Sequence, residues 1–231
     1  KDRCVKRSAA QREVVKGKAL PGEEMVFRYR KEPHSVYMFV TSDNGKGREL
    51  KAQDVKYCFD RLCYHNPADN QGFWIFKGVV KGASEYDSLT ANKIIPDSGV
   101  SGVRVIDDYT VAVELEKPYA VFLARLALIF GKIYPHEAVE KYGSDIRMHP
   151  VGTGPFYMKV NKDNQVTFLA RNQNYWQKDS FGNQLPYLDA LRISFIKEKK
   201  NELLEFSKGN SDLVYRFPLE MIDEIVDYKH Q

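Results

Sequence analysis

Residues 151–158 read VGTGPFYM, two glycines and a proline at the head of what is otherwise an alternating strand. A glycine pair in such a place cradles a phosphate, forms a tight turn or lets the backbone approach a ligand, and each option implies a different protein. A P-loop requires G-x-x-x-x-G-K-[ST], whereas Gly154 is followed by Pro155 and Phe156, so no lysine or hydroxyl is placed on a metal-bound phosphate. A dinucleotide fingerprint needs a third glycine and a helix, and here a strand opens instead. The nucleophile elbow G-x-S-x-G is absent. The stretch therefore reads as a backbone device at the start of a core strand, with Gly152 and Gly154 permitting the turn and Phe156 locking the strand into apolar packing.

Downstream, Phe156, Met158 and Val160 alternate, NKDN turns, and Val166, Phe168 and Ala170 alternate again, which predicts a hairpin. LRISFI (191–196) reads as a further strand, NELLEFSKG as a short helix closed by Gly209, and DLVYRF as a strand. Upstream, SDIRMHPVGTGPF is punctuated by Gly and Pro and marks a boundary between two lobes. Before it, PHEAVEKYG has Pro at a helix start and Gly at its end. The apolar run YAVFLARLALIFGKIY (119–134), with Pro118 in its first turn, predicts one long buried helix.

VRVI and VAVEL flank the turn DDYT as a β-branched hairpin, and MVFRYR (25–30) alternates as a half-exposed strand. In KAQDVKYCFDRLC, Val55, Cys58, Phe59, Leu62 and Cys63 fall on one helix face. Residues 66–102 are rich in Gly, Asn, Asp and Ser around the aromatic patch FWIF and give no clear pattern. Hairpins this frequent exclude a pure βαβ repeat, and the fold class is mixed α and β, of the α+β kind.

The chain has 231 residues and a formal charge of +4, but residues 1–18 alone hold seven Lys/Arg against two acids. The remaining 213 residues sum to −1 with interleaved signs, which argues against nucleic acid as a partner and makes the basic arm a solvated segment. No run approaches a membrane span. Cys4, Cys58 and Cys63 lack C-x-x-C spacing, and the two in the helix diverge by about 140° on its axis, so buried thiols are expected rather than a disulfide or zinc. His34, His65, His136, His149 and His230 show no ligand spacing; surface or capping roles are expected, although His136 and His149 are free to meet in the fold. Neither a metal nor a cofactor is implied. Fourteen Tyr, thirteen Phe and two Trp concentrate in GFWIF, GPFYM and NQNYWQKD. Such residues line peptide or sugar clefts as well as cores.

Taken in order, MVFRYRK, LKAQDVKYCFDRL, VRVIDDYTVAVELEKPYAVFLARLA, YPHEAVEKYGSD, HPVGTGPFYM, RNQNYWQKDSFGNQLPYLDALRISFI and NELLEFSKGNSDLVYRFP resemble the extracellular solute-binding proteins of peptide-type ABC importers, the oligopeptide-, dipeptide- and nickel-binding group. The resemblance covers about residues 20–220. It implies an incomplete lobe of the type II periplasmic-binding-protein fold, an internal fragment of a longer exported protein that is frequently lipid-anchored. It divides the chain into a basic segment (1–19), a peripheral subdomain of lobe one (20–145) and part of its core subdomain (146–231). It implies a non-enzymatic receptor that captures a peptide or similar small solute and presents it to a membrane permease, in the periplasm or at the cell surface. One departure is Lys51, which stands where family helices commonly carry a Thr or Ser cap. The charged groups that meet a peptide's ends lie mostly in the family's second lobe, so the resemblance assigns no catalytic, substrate-binding or metal residue here. A hydrolase using scattered carboxylates and a surface interaction module are the competing classes.

Overall fold

The computed structural model describes residues 47–66, 71–215 and 222, together with the backbone of two strands, Arg12–Val15 (β1) and Glu24–Tyr29 (β2). His34, His230 and Cys4 lie outside the described residues.

Strands Val103–Asp107 (β3) and Thr110–Glu114 (β4) form the first predicted hairpin, and β4 also pairs with β2, giving an antiparallel sheet of order β1-β2-β4-β3. The expected strand at 25–30 is therefore present, but Arg12–Val15, expected in a solvated basic arm, pairs along it from Arg12↔Tyr29 to Val15↔Val26. Two adjacent valines favour the pleated backbone, and sheet pairing satisfies its donors where a free arm would leave them to water.

β4 is one of the two inner strands, and Thr110 to Val113 are all buried because neighbours cover both its faces. Against it lies Ala52–Cys63 (α1), whose Val55, Phe59 and Cys63 enter one apolar cluster with Ile75, Phe76, Val80, Val100, Val103, Leu115 and Phe122. Phe76 meets Phe59 edge-on at 4.9 Å and Phe122 at 5.9 Å. Lys51 offers no acceptor, yet the helix starts sharply. The Asp54 carboxylate, three residues in, accepts the Lys51 N–H at 2.8 Å, half of a capping box, and the Ala52 N–H donates to the Asp108 carbonyl at 2.7 Å.

The unpatterned segment 66–102 contains a helix, Ala83–Ala91 (α2), entered through Gly82 at φ 73°. Its inward residues are Ala83, Tyr86 and Thr90, too small or too polar to mark a helical stripe in the sequence.

The run 119–134 is not one long buried helix. Only Phe122–Leu126 (α3) is α-helical, followed by a 3₁₀ turn at Ile129–Gly131, and Pro118 lies upstream of the helix rather than in its first turn. Phe122 and Leu126 point inward, while Val121, Leu128, Ile129 and Phe130 remain exposed. The reversal depends on Gly131: a Cβ there would sit 2.4 Å from the Leu126 carbonyl oxygen, so the chain doubles back too closely for any side chain. His136–Tyr142 (α4) follows as predicted, with Pro135 before it and Gly143 at φ 52° after it.

A second antiparallel sheet, order β5-β6-β7, is built from Phe156–Lys162 (β5), Val166–Arg171 (β6) and Ala190–Ser194 (β7). A bulge between Met158 and Val160 interrupts the β5 register, whereas β6 and β7 pair regularly from Val166↔Ser194 to Ala170↔Ala190. Lys199–Ser207 (α5) ends at Gly209 with φ 74°, as the sequence predicts. Asp212 to Tyr215, expected at the start of a strand, have no strand pairing among the described residues, and Leu213 and Tyr215 are exposed.

Candidate functional site

VGTGPFYM is held differently from the sequence expectation. Neither Gly152 nor Gly154 has a positive φ. Space around Gly152 is open, and the nearest atom to a Cβ on Gly154 would be the Phe156 carbonyl at 3.8 Å. The turn is fixed from outside by Asn172, only 2% exposed, at the end of β6. Its Nδ2 donates to the Gly154 carbonyl at 2.8 Å, its backbone N–H donates to the Pro155 carbonyl at 2.9 Å, and its Oδ1 accepts the Asn174 N–H at 2.9 Å. Phe156 is only half-buried, and the buried anchors of the segment are Val151 and Met158.

The titratable clusters are structural. Asp54, His136 and Glu137 place one ligand atom each within 4.8 Å of the others, the one such group among the described residues. Arg48 already fills that space: it donates to Asp54 at 2.6 and 2.8 Å and to Glu137 at 2.6 and 2.9 Å, tying α1 to α4. A cation would have to displace this doubly bidentate guanidinium. Its hydrogen bonds hold the Glu137 carboxyl at about 2, far below the usual range. Asp60 is pushed up by burial, and both oxygens are engaged, by Lys56 Nζ at 2.8 Å and, at Oδ1, by the Val100 N–H at 2.8 Å. Gly99, at φ +64°, gives this carboxylate its place, since a Cβ there would lie 2.1 Å from Asp60 Oδ2. A carboxylate so engaged is a turn clamp.

Cys58 and Cys63 are buried, unbridged thiols, as their helical divergence predicts. Cys58 Sγ sits between the Tyr134 N–H at 3.3 Å and the Tyr134 carbonyl at 3.2 Å, and burial pushes its thiol up to about 12. His136 and His149 have separate partners: His136 meets the edge of Tyr57 at 5.9 Å, and His149 stacks on Tyr142 at 4.2 Å. His65 contacts Asp87 at 3.0 Å.

Three of the aromatic side chains, Trp74, Tyr119 and Phe130, meet around one cation. Trp74, from the FWIF patch, packs edge-on against Phe130 with ring centroids 6.3 Å apart. Arg125 of α3 lies over the Trp74 ring at 5.1 Å and over the Tyr119 ring at 4.7 Å, and its Nη1 donates to the Trp74 and Ile75 carbonyls at 3.2 and 3.4 Å. Val121 and Leu128, just outside the two ends of α3, are exposed, while Phe122 and Leu126 within it are buried. Exposed aromatic and apolar side chains beside one cation are a composition that binding surfaces share. Sequence reading had the aromatic patch but no means to select Trp74, because its partners come from a distant segment that resembles a buried helix.

Residues 43–231 match the family of bacterial extracellular solute-binding proteins, family 5 Middle, and the chain belongs to that family. Among curated relatives it is 30% identical over 199 residues to heme-binding protein A of Haemophilus influenzae, covering 84% of this chain and 32% of that protein. It is 27% identical over 121 residues to the glutathione-binding protein GsiB of Salmonella paratyphi A, covering 52% of this chain and 23% of that protein. Among solved structures, the periplasmic oligopeptide-binding protein OppAIV of Borrelia burgdorferi matches with a TM-score of 0.71 at 21% identity, over 94% of this chain and 39% of that one. The periplasmic binding protein DppA of Helicobacter pylori, in complex with the peptide STSA, matches with a TM-score of 0.68 at 21% identity, over 95% and 40%. The chain thus spans a quarter to a third of these curated relatives and about two fifths of these structures. The expected fold, part of an oligopeptide-binding-protein lobe, is the fold found. No helix among the described residues is long and apolar enough to cross a membrane.

Proposed function

We propose that the chain is part of the solute-binding component of an ABC importer and captures peptides, or a solute of similar size and polarity, outside the cytoplasm for delivery to a membrane permease. The observation that carries this reading is the family match over residues 43–231, with a fold shared along nearly the whole chain with oligopeptide-binding proteins. Residues 20–145 act as the peripheral subdomain of the first lobe and 146–231 as part of its core subdomain. The mechanism is closure of two lobes around the solute, driven only by the ligand's differential affinity for the closed state. Catalysis has no role in it, and the engagement of Asp54 and Asp60 by Arg48, Lys56 and backbone donors supports that reading.

The test is calorimetry of this chain with a pool of short peptides, beside glutathione and hemin, which the relatives' names suggest. With one lobe's portion of the cleft, the chain binds peptides weakly. Submicromolar affinity would overturn the two-lobe reading, and peptide turnover would overturn the receptor reading.

A further inference from the structure

We infer that the Trp74–Arg125–Tyr119 stack is a carboxylate-recognising subsite for the captured peptide; this rests on the peptide-receptor reading above. Three observations converge on it. Two aromatic faces at 5.1 and 4.7 Å hold the Arg125 guanidinium, so its orientation is set before any ligand arrives. Nη1 is spent on the carbonyls of Trp74 and Ile75, and among the described residues no carboxylate pairs with Arg125, which leaves the charge uncompensated. Exposed apolar side chains accompany it: Trp74 is 47% exposed, and Val121 and Ile129, four residues before and after Arg125, are 51% and 65% exposed, area against which a ligand side chain loses water.

This arrangement differs from that of Arg48. Arg48 is saturated by Asp54 and Glu137 and can recognise nothing further. Arg125 has the stacked geometry without the acid, and a planar fork beside aromatic walls suits a carboxylate attached to an apolar residue. The ligand class is a peptide presenting a carboxylate next to an apolar side chain. The carboxylate comes from the peptide's C-terminus or from an acidic side chain.

The experiment titrates the whole chain with N-acetylphenylalanine, N-acetylphenylalaninamide and N-acetylglutamic acid α-amide at millimolar concentrations, followed by ¹H–¹⁵N NMR. The two indole N–H signals, Trp74 and Trp176, and the Arg125 Nε–H signal report location. The expected result is saturable shifts at Trp74 and Arg125, with the free acid binding at least about threefold more tightly than its amide, as a charge-assisted pair requires. Stronger binding of N-acetylphenylalanine assigns the source to a C-terminus, and stronger binding of the glutamic derivative assigns it to a side chain. In Arg125→Gln the acid and amide converge, while Arg125→Lys keeps part of the difference. Equal binding of acid and amide by the unsubstituted chain overturns the subsite without recourse to any variant. Shifts confined to other residues overturn the subsite and leave peptide capture standing; no shift anywhere up to the highest concentration overturns both.

Discussion

Asn172 reaches back 18 residues to donate its Nδ2 hydrogen to the carbonyl of Gly154 at 2.8 Å. The same residue's backbone takes the Pro155 carbonyl, so one buried amide fixes both peptide groups at the head of β5.

Replacing Asn172 with Ala removes the bonds to Gly154 and Asn174 from a buried position and costs about 1–3 kcal/mol. In a chain of this size that lowers Tm by roughly 2–12 °C. Gly154→Val, by contrast, meets open space at an unstrained φ and changes stability by no more than about 0.5 kcal/mol. Thermal melts of the two variants separate the explanations: a larger loss for Gly154→Val would return the constraint to the glycine.

Gly99 and Gly78 share φ +64°, but only Gly99 has a neighbour, Asp60, within reach of an added Cβ. Ala at Gly78 incurs the left-handed strain alone, about 1–2 kcal/mol. Ala at Gly99 adds displacement of Asp60 from Lys56 and the Val100 N–H, and denaturant titration is expected to place it at least about 1 kcal/mol below Gly78→Ala. Equal midpoints would mean that Asp60 swings aside without loss.

The Arg48 clamp gives a pH signature. The Glu137 carboxyl falls from an ordinary 4.5 to about 2 in the folded chain, so its contribution is complete above pH 4.5 and is lost as pH falls through about 2. Half-exposed and screened by solvent, it contributes modestly. Glu137→Gln flattens the stability profile between pH 4.5 and 2 while leaving the slope above pH 5 unchanged, as chemical denaturation at each pH would reveal.

Cys58 supplies the opposite sign. Its thiol is raised from 9.0 to about 12, so the folded state holds its proton where the unfolded state releases it, and this contribution is complete below pH 9 and lost as pH rises toward 12. At pH 8 the native chain is expected to leave both described thiols unreacted with a disulfide reagent, and both should react after denaturation. Fast native labelling of Cys58→Ser would place a reactive thiol at Cys63 or Cys4.

Much of the fold was legible because it follows local periodicity. Val55, Phe59 and Cys63 recur at helical spacing, and Met158 and Val166 sit in alternating strands, so α1, α4 and the hairpins could be read directly. Two helical errors have opposite physical causes. α2 buries Ala83, Tyr86 and Thr90, whose mixed polarity leaves no stripe, while 119–134 is so largely apolar that no stripe separates the half that faces outward. The charge of Arg125 inside that run was the available clue, since a buried helix would have to compensate it. The site itself was not legible: Trp74 meets Phe130, and Arg125 meets Tyr119 and Trp74, only after the chain folds. The helix cap at Lys51 was likewise carried by a residue three places further on, outside the position where caps are sought.

The bulge in β5 leaves the second sheet with unequal margins. Pro155 at the head of β5 lacks an N–H, and the irregularity between Met158 and Val160 in its pairing with β6 bends and twists the strand. β7 has no such interruption and pairs regularly along its inner side. Its outer side is the template against which further backbone docks most readily. Among the described residues the two borders of the sheet therefore differ, interrupted along β5 and regular along β7.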